Sequence, residues 1–464
     1  MKPASPSAYR LMHEGSLALC KMECVGLPVC REELSRAKDA VTQQIRSTEQ
    51  QMRSMDEYQR QRKKFGIRTK IGSREQLADI LYKDLNYPGM QVNPKTGKII
   101  FDDEVLNEID TPYTKLFKKV QKFHKLNSTY LTGIERELCG DRVHAVLNTH
   151  TVTTYRSSAD SPNIQNFPIR DPEIGQILRS IIRPKPGRMI VEIDYSTLEV
   201  VIGACLHGDP TMSEYLLTGF DFHRATAQEC FFMEDVPKPL RQLAKVANFS
   251  LIYGDFFAAI AAKMWKAVDG LTQENSGVGG QKVFAHLNSK GIKRLGNEND
   301  TGPDTFTGHI QKVCDRFWGQ RFPIFAKWRR DTWEDYARKG YLYTRTGFRV
   351  WGVYKRNEIL NVETQGCAFH CLLRSVIEIT RRLEQSSLKS RLVGQIHDSL
   401  LAEVPIEELD EYVGMATEVM TTWLRSQWSW IKLPLSTETE VGNSWATKAP
   451  YPLNTRFDFP KKVR

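Results

Sequence analysis

The chain contains no run of eighteen apolar residues, which argues against a helix long enough to cross a bilayer. Its first residues, MKPASPSAYRLMHEG, lack the apolar stretch of a secretory signal. There is no CxxC pair and no histidine partner at zinc-finger spacing. Nine cysteines is an odd number, and Cys20, Cys24 and Cys30 are loosely spaced. A structural zinc site is therefore not expected; reduced thiols in a reducing compartment are. No internal repeat is present, so a solenoid or fibrous array is excluded. The expectation is a soluble, cytoplasmic protein without a membrane partner. What is there is ordinary globular composition: 464 residues, 41% of them apolar. At roughly 150 residues per domain the length suggests about three units, enough to bury a core without disulfide or metal staples.

Lysine and arginine number 65 against 55 acids, a net charge of +10. Distribution says more than the sum. Arg60, Arg62, Lys63, Lys64, Arg68 and Lys70 fall in one acid-free stretch, and Lys115, Lys118, Lys119, Lys122 and Lys125 follow at helical spacing. Either cluster alone is equally a solvated helix face. Two together favour a polyanionic partner such as nucleic acid.

Residues 31–64 are rich in helix formers and contain no glycine or proline, which predicts one long, polar, projecting helix with a thin apolar stripe. Short helices separated by turns are expected to about residue 140. RMIVEIDYS, from Arg188, predicts a buried strand feeding a helix through an acid. Residues 270–308 carry glycines at 270, 277, 279, 280, 291, 296, 302 and 308, which predicts an irregular or mobile insertion. RLVGQIHDSLLAEV, residues 391–404, predicts two strands flanking His397 and Asp398.

Asp194 ends one apolar strand and Asp398 sits between two others. Taken singly, each is more simply a turn or cap residue. Two strands carrying carboxylates at adjacent ends can instead hold two magnesium ions about 3.5–4 Å apart for phosphoryl transfer. Between them lies RQLAKVANFSLIYG, residues 241–254. At about 100° per residue, Arg241, Lys245, Phe249 and Tyr253 fall at about 0°, 40°, 80° and 120°, and Leu243, Ala247 and Leu251 at about 200°, 240° and 280°. The second face can dock on a core. The first offers two cations and two rings in a row, the layout a nucleotide needs for its phosphates and base. An ordinary amphipathic helix gives a similar pattern, although two cations at i and i+4 repel; Ile252 also lies on the cationic face.

The order D-Y-S-x-x-E (Asp194 to Glu199), R-x-x-x-K-x-x-x-F-x-x-x-Y-G (Arg241 to Gly254) and Q-x-H-D (Gln395 to Asp398) resembles the three polymerase motifs of family A DNA polymerases, the bacterial DNA polymerase I group and its phage relatives. Five further matches are colinear: K-L-N-S-T-Y at 125–130, R-S-S-x-x-x-P-N-I-Q-N-x-P at 156–168, D-F-H-R-A-T-A at 221–227, N-x-x-x-Q-G at 361–366 and G-N-S-W at 442–445. The resemblance covers nearly the whole chain.

It implies an α+β right hand whose palm combines an antiparallel sheet with helices and whose fingers and thumb are mostly helical. Residues 1–30 would pack on the palm and 31–140 form the thumb. The palm would comprise 141–210 and 346–464, with fingers at 211–345. The implied activity is template-directed addition of deoxynucleoside triphosphates to a primer 3′-hydroxyl with release of pyrophosphate, using two Mg2+ ions, with Mn2+ as an alternative. Asp194 and Asp398 correspond to the metal-binding carboxylates and the Tyr195 carbonyl to a further ligand. Arg241 and Lys245 correspond to triphosphate ligands, with His223 beside them. Phe249 and Tyr253 correspond to the nucleotide-side and template-side aromatics, and Glu199 to the steric gate against a ribose 2′-hydroxyl. Arg156, Asn163, Gln165, Gln365 and His397 correspond to primer–template contacts.

The sequence departs from the family pattern at Val201, where an arginine is common, and at Ser399, where a glutamate is common. No D-x-E-type exonuclease site precedes the polymerase-type sequence, so no proofreading is expected in this chain. A separate exonuclease, a processivity factor and a shortened chain are left open. The expected setting is a monomer in viral or phage-type replication, placed in the host cytoplasm if viral. The rival readings are a single-subunit RNA polymerase of the same fold, against which Glu199 and D-Y-S argue, and a non-catalytic DNA-binding relative, which would not need Asp194, Asp398, Arg241 and Lys245 together.

Overall fold

The computed structural model describes residues 2–168 and 171–452. Its centre is a five-stranded antiparallel sheet in the order Arg391–Ile396, Ser399–Pro405, Arg188–Tyr195, Thr437–Gly442 and Ala449–Pro450. Strand Arg188–Tyr195 is central because its apolar residues can be covered: Ile190, Val191, Ile193 and Tyr195 are all buried. All seven residues of Ser399–Pro405 are buried too, as a strand flanked on both edges and faces should be. Helix Arg356–Gln385 carries a continuous buried run from Gly366 to Leu373, and helix Pro6–Val25 packs on it and on strand Arg391–Ile396. The N-terminal helix thus lies against the sheet unit.

A second unit is built on helices Arg31–Arg53 and Pro112–Lys125. The long helix predicted over 31–64 is two helices, Arg31–Arg53 and Asp56–Phe65. The break follows from local chemistry. The Ser54 hydroxyl donates to the Gln51 carbonyl at 2.7 Å, Gln59 donates to the Arg53 carbonyl at 2.7 Å, and Asp56 and Glu57 begin the next helix. Nor is the first helix merely projecting, since Leu34, Val41, Ile45 and Met52 are buried. Thr111 and Thr114 form a reciprocal cap at 3.1 and 3.0 Å, with Pro112 at the first helical position. Met52, Leu77, Leu81, Tyr82, Leu106, Tyr113, Phe117 and Val120 make a hydrophobic core separate from the main one.

A third, helical unit contains Phe222–Phe231, Lys238–Tyr253, Phe257–Asp269, Phe306–Arg316 and Pro323–Lys339. The glycine-rich segment is more ordered than predicted. Helix Gly280–Ser289 buries Val283 and Leu287, and its Phe284 ring lies 4.5 Å from that of Trp265. Gly280 is required by close approach, because a Cβ there would stand 2.1 Å from the Val268 carbonyl oxygen. Glycine density here marks tight packing between short helices rather than an absence of structure. Three smaller sheets complete the frame among the described residues: Leu27–Pro28, Arg142–Val143 and Leu138–Cys139, which straddles the boundary expected at residue 140; Lys2–Pro3, Phe348–Trp351 and Tyr341–Tyr343; and the pair Val146–Asn148 and Ser158–Asp160. Among the described residues no helix is long and apolar enough to cross a membrane.

Because the second core is separate, damage there should stay local. Phe117→Ala, at a fully buried ring, is expected to cost about 3–5 kcal/mol. Hydrogen exchange should accelerate over residues 77–120 while strand Arg188–Tyr195 keeps its protection; equal acceleration of both would show that the two cores unfold as one.

Candidate active site

Register brings the two predicted acids together. Asp194 lies opposite Ser399 on one side and Glu438 on the other, and the Tyr195 amide donates to the Asp398 carbonyl at 3.3 Å. Asp398 follows His397, whose φ of 52° makes the tight turn between Ile396 and Ser399. The predicted hairpin is present with the acid at its tip. Tyr195 turns its ring away from this contact: the buried hydroxyl donates to the Met420 carbonyl at 2.7 Å and lies 3.0 Å from Ser375 Oγ.

Asp194 keeps a solvent-exposed side, but protein crowds the rest of it. That desolvation, with the charges of Asp398, Glu192 and Glu438, pushes its carboxyl up to about 7, Lys448 offsetting only part. Burial raises Asp398 as well, opposed by Arg156 and His397. Glu192 behaves oppositely. Burial alone would raise it, but the Lys448 ammonium and hydrogen bonds from Trp445 Nε1 at 2.9 Å and Ser399 Oγ at 3.0 Å hold it below the usual range. The G-N-S-W tryptophan and the unexpected Ser399 therefore both serve Glu192. Among the described residues no group of three or more His, Cys, Asp or Glu side chains is arranged to hold a metal ion, so the candidate donor set is this pair with nearby backbone oxygen.

Glu199, at the start of helix Leu198–His207, is paired with Arg156 and accepts a hydrogen bond from the Tyr253 hydroxyl. Helix Lys238–Tyr253 buries Leu240, Ala244, Ala247, Asn248 and Leu251, with Leu243 only at the margin. The docking face is thus rotated from the predicted Leu243, Ala247 and Leu251, and the opposite face still presents Arg241, Lys245, Phe249 and Tyr253. Phe249 and Tyr253 stack at 6.3 Å, and Lys245 Nζ lies 6.0 Å from the Phe249 ring. Arg241 donates to Asp221 at 2.6 Å, so in this state it is held by a carboxylate that also caps helix Phe222–Phe231. His223 Nδ1 is 3.0 Å from Asn248; burial, then Arg241 and Lys245, lower its pKa to about 4, so the ring is neutral at pH 7.

The remaining predicted residues divide. Gln165 is buried in a network, donating to Ser157 Oγ at 2.9 Å and to Gln395 Oε1 at 2.9 Å, while Gln395 donates to the His397 carbonyl at 2.6 Å. It supports the Asp398 turn from behind rather than opening to the cleft. Asn163 caps the short helix Ile164–Asn166, accepting from the Asn166 amide at 3.0 Å. Gln365 is half-buried on helix Arg356–Gln385. Of the two cation clusters, Arg60, Lys64, Lys115 and Lys122 are occupied by Asp56, by Asp79 and Asp84, by Asp110, and by Asp171 and Glu173.

Sequence reasoning missed how the helix end is anchored. Asn357 donates to the Gly254 carbonyl at 2.7 Å, Asn361 donates to that of Tyr253 at 3.1 Å, and buried Arg329 donates to that of Ile252. Arg329 stands over Trp318 at 4.9 Å; burial, with Arg356 nearby, lowers its pKa to about 10. No local pattern marks these residues, because their partners are backbone carbonyls distant in sequence.

The family model for DNA polymerase family A matches residues 31–277 and 291–447, leaving out the whole of helix Gly280–Ser289. The DNA polymerase I of Bacillus caldotenax is 26% identical over 440 residues, covering 93% of this chain and 45% of that protein. The thermostable DNA polymerase I of Thermus aquaticus is 27% identical over 392 residues, covering 81% and 41%. The chain spans less than half the length of these curated relatives. A solved structure, the POL domain of Pol1 from M. smegmatis in complex with DNA primer-template and dNTP, superposes with a TM-score of 0.73 at 22% identity over 94% of this chain and 70% of that one, which establishes the mixed helix-and-antiparallel-sheet polymerase fold. With most of its length matched by the family model and its three motifs assembled around one cleft, the chain belongs to DNA polymerase family A.

Proposed function

We propose that this chain is a template-directed DNA polymerase that adds deoxynucleoside triphosphates to a primer 3′-hydroxyl. The central sheet with residues 141–210 and 346–464 acts as palm, 211–345 as fingers and 31–140 as thumb. The carrying observation is the strand register that sets Asp194 beside Asp398 at the foot of a helix lined by Arg241, Lys245, Phe249 and Tyr253. Family membership supports the reaction class. The bacterial relatives found lend no weight to a phage-type setting, which forms no part of the proposal.

The donor chemistry fits Mg2+. Burial, with the charges of Asp398, Glu192 and Glu438 added, raises the Asp194 carboxyl to about 7, a cost that a divalent cation between the two hard oxygen donors removes. Asp194, Asp398 and the Tyr195 carbonyl would hold it, and when bound it would lower the pKa of the attacking hydroxyl and stabilise charge on the leaving oxygens. The chain's own residues do the rest. Arg241, released from Asp221, and Lys245 take the triphosphate and offset charge on pyrophosphate as the bond from the α-phosphorus to the bridging oxygen breaks. Neutral His223 contributes a hydrogen bond without a further charge. Phe249 and Tyr253 give the base and template a stacking surface. Glu199, pinned by Arg156 and Tyr253, fills the space a 2′-hydroxyl would need. Arg156, Asn163, Gln365 and His397 contact primer or template, where minor-groove acceptors are nearly independent of sequence, and Gln165 positions the turn that carries His397 and Asp398.

Asp194→Ala or Asp398→Ala should abolish primer extension while duplex affinity, read by anisotropy, stays near that of the parent; near-normal extension by either would remove the catalytic assignment. Glu199→Ala should raise ribonucleotide over deoxynucleotide use by roughly 10- to 100-fold, and an unchanged ratio would refute the gate.

A third test avoids activity. The ordinary carboxyl value is 3.8 and that of Asp194 about 7, so the stability tied to its neutral form is complete below the first and lost as pH climbs through the second. Without divalent cations, Asp194→Asn should melt above the parent at pH 8, with the gap closing toward pH 4. Mg2+ at pH 8 should raise the parent's Tm and barely move the variant's. A gap constant with pH would contradict the crowding described above.

A further inference from the structure

The small sheet of Lys2–Pro3, Phe348–Trp351 and Tyr341–Tyr343 has one buried face, with Leu342, Phe348 and Val350, and one outward face that no element of the described chain covers. Strand alternation sends Tyr341, Tyr343, Arg349 and Trp351 outward. Register pairs Tyr341 with Trp351 and Tyr343 with Arg349. Tyr343 is 54% exposed and Trp351 43%, and Val353, just past the strand, is fully exposed. The rings form a connected surface: Tyr341 and Tyr343 meet at 5.6 Å, edge to face, and the Arg349 guanidinium lies 4.3 Å from the Tyr341 ring.

Charge indicates what this surface would meet. From Tyr341 to Asn357 the chain has four cations, Arg345, Arg349, Lys355 and Arg356, and no acid. Arg345 faces Glu363, whereas Arg349, Lys355 and Arg356 form no ion pair with a carboxylate among the described residues. Open rings interleaved with unneutralised cations suit a ligand with flat π faces and phosphates in every repeat, which is an unpaired nucleic-acid strand. A duplex hides its base faces and cannot use the rings.

Position adds a reason. The Tyr155 hydroxyl donates to the Arg349 carbonyl at 2.6 Å, and the next residue, Arg156, is the partner of Glu199, which holds Tyr253. On the other side, the Tyr336 hydroxyl donates to the Gly352 carbonyl at 2.7 Å, and Asn357 and Asn361 grip the end of helix Lys238–Tyr253. The platform is therefore fixed to the wall of the candidate insertion pocket. We propose that Tyr343 and Trp351, with Arg349, stack and neutralise the unpaired template strand ahead of the insertion position, an inference that rests on the polymerase reading for the identity of that strand.

The test compares the parent chain, Tyr343→Ala/Trp351→Ala and Tyr343→Phe/Trp351→Phe by fluorescence anisotropy. The probes are a primer-template with a 5′ overhang of about ten nucleotides, the matching blunt duplex, and a single strand alone. The alanine pair should weaken binding of the overhang substrate and the single strand by about tenfold or more, and binding of the blunt duplex by less than about twofold; the phenylalanine pair should bind as the parent does. Equal weakening on blunt and overhang substrates, or none on either, overturns the proposal. So does a change in sedimentation coefficient without a change in overhang binding, which would make the face an interface between copies. Single-strand binding that depends on the rings in a parent unable to extend a primer would instead sink the polymerase reading and leave the platform standing.

Discussion

Antiparallel pairing forces two carboxylates into each other's field. Asp194 and Asp398 do not attract; they are neighbours because Leu400, Leu401 and Val404 must be buried against Ile190, Val191 and Ile193, and only one register buries both sets. Hydrophobic burial across three strands outweighs the repulsion of the acids. Much of the surrounding structure keeps that arrangement. The Tyr195 phenol is tied down behind the sheet, Gln165 and Gln395 brace the turn after Ile396, and Lys448, Trp445 and Ser399 hold Glu192 in its ionised form beside the pair.

The Glu192 and Ser399 pairing bears on one departure from the family pattern. Where a carboxylate is common after the motif aspartate, this chain has a hydroxyl that donates across the strands to a carboxylate on the neighbouring one. Negative charge near the acids is retained, but on the other strand, and it is partly cancelled by Lys448. A second set of constraints fixes the pocket wall. Glu199 is held from two sides, and the C-terminal end of helix Lys238–Tyr253 is fastened through three backbone carbonyls, while Arg241 near its other end is paired with Asp221, a partner that a polyphosphate can replace.

The parts of this architecture legible in the sequence are those whose signal is local. Strand Arg188–Tyr195 and the hairpin around Asp398 were readable because short apolar runs bounded by a turn have few alternatives, and the cationic face of residues 241–253 because helical spacing alone determines it. The buried face of that helix was misread by one position: Leu243 is apolar but lies at the edge of the contact, whereas Leu240 and Ala244 fill it. The break at Ser54 was hidden because serine is tolerated within helices and the side-chain hydrogen bonds that stop the helix cannot be seen in composition. Glycines over 270–308 suggested an irregular or mobile insertion, where packing of Val283, Leu287 and Phe284 against helix Phe257–Asp269 uses at least one of them for close contact. The Gln165 network and the Arg329 anchor depend on partners far away in the chain. The small outer sheet was not foreseen either, since a two-residue strand at the N-terminus carries no periodicity.

The central claim is that Asp194 and Asp398 form one cation-binding unit. Anomalous diffraction from crystals soaked in Mn2+ tests it most directly. The account predicts two peaks between these carboxylates and the Tyr195 carbonyl, about 3.5–4 Å apart once a nucleotide is bound. Manganese absent from that position in crystals that bind nucleotide, or bound there through only one of the two acids, would contradict it.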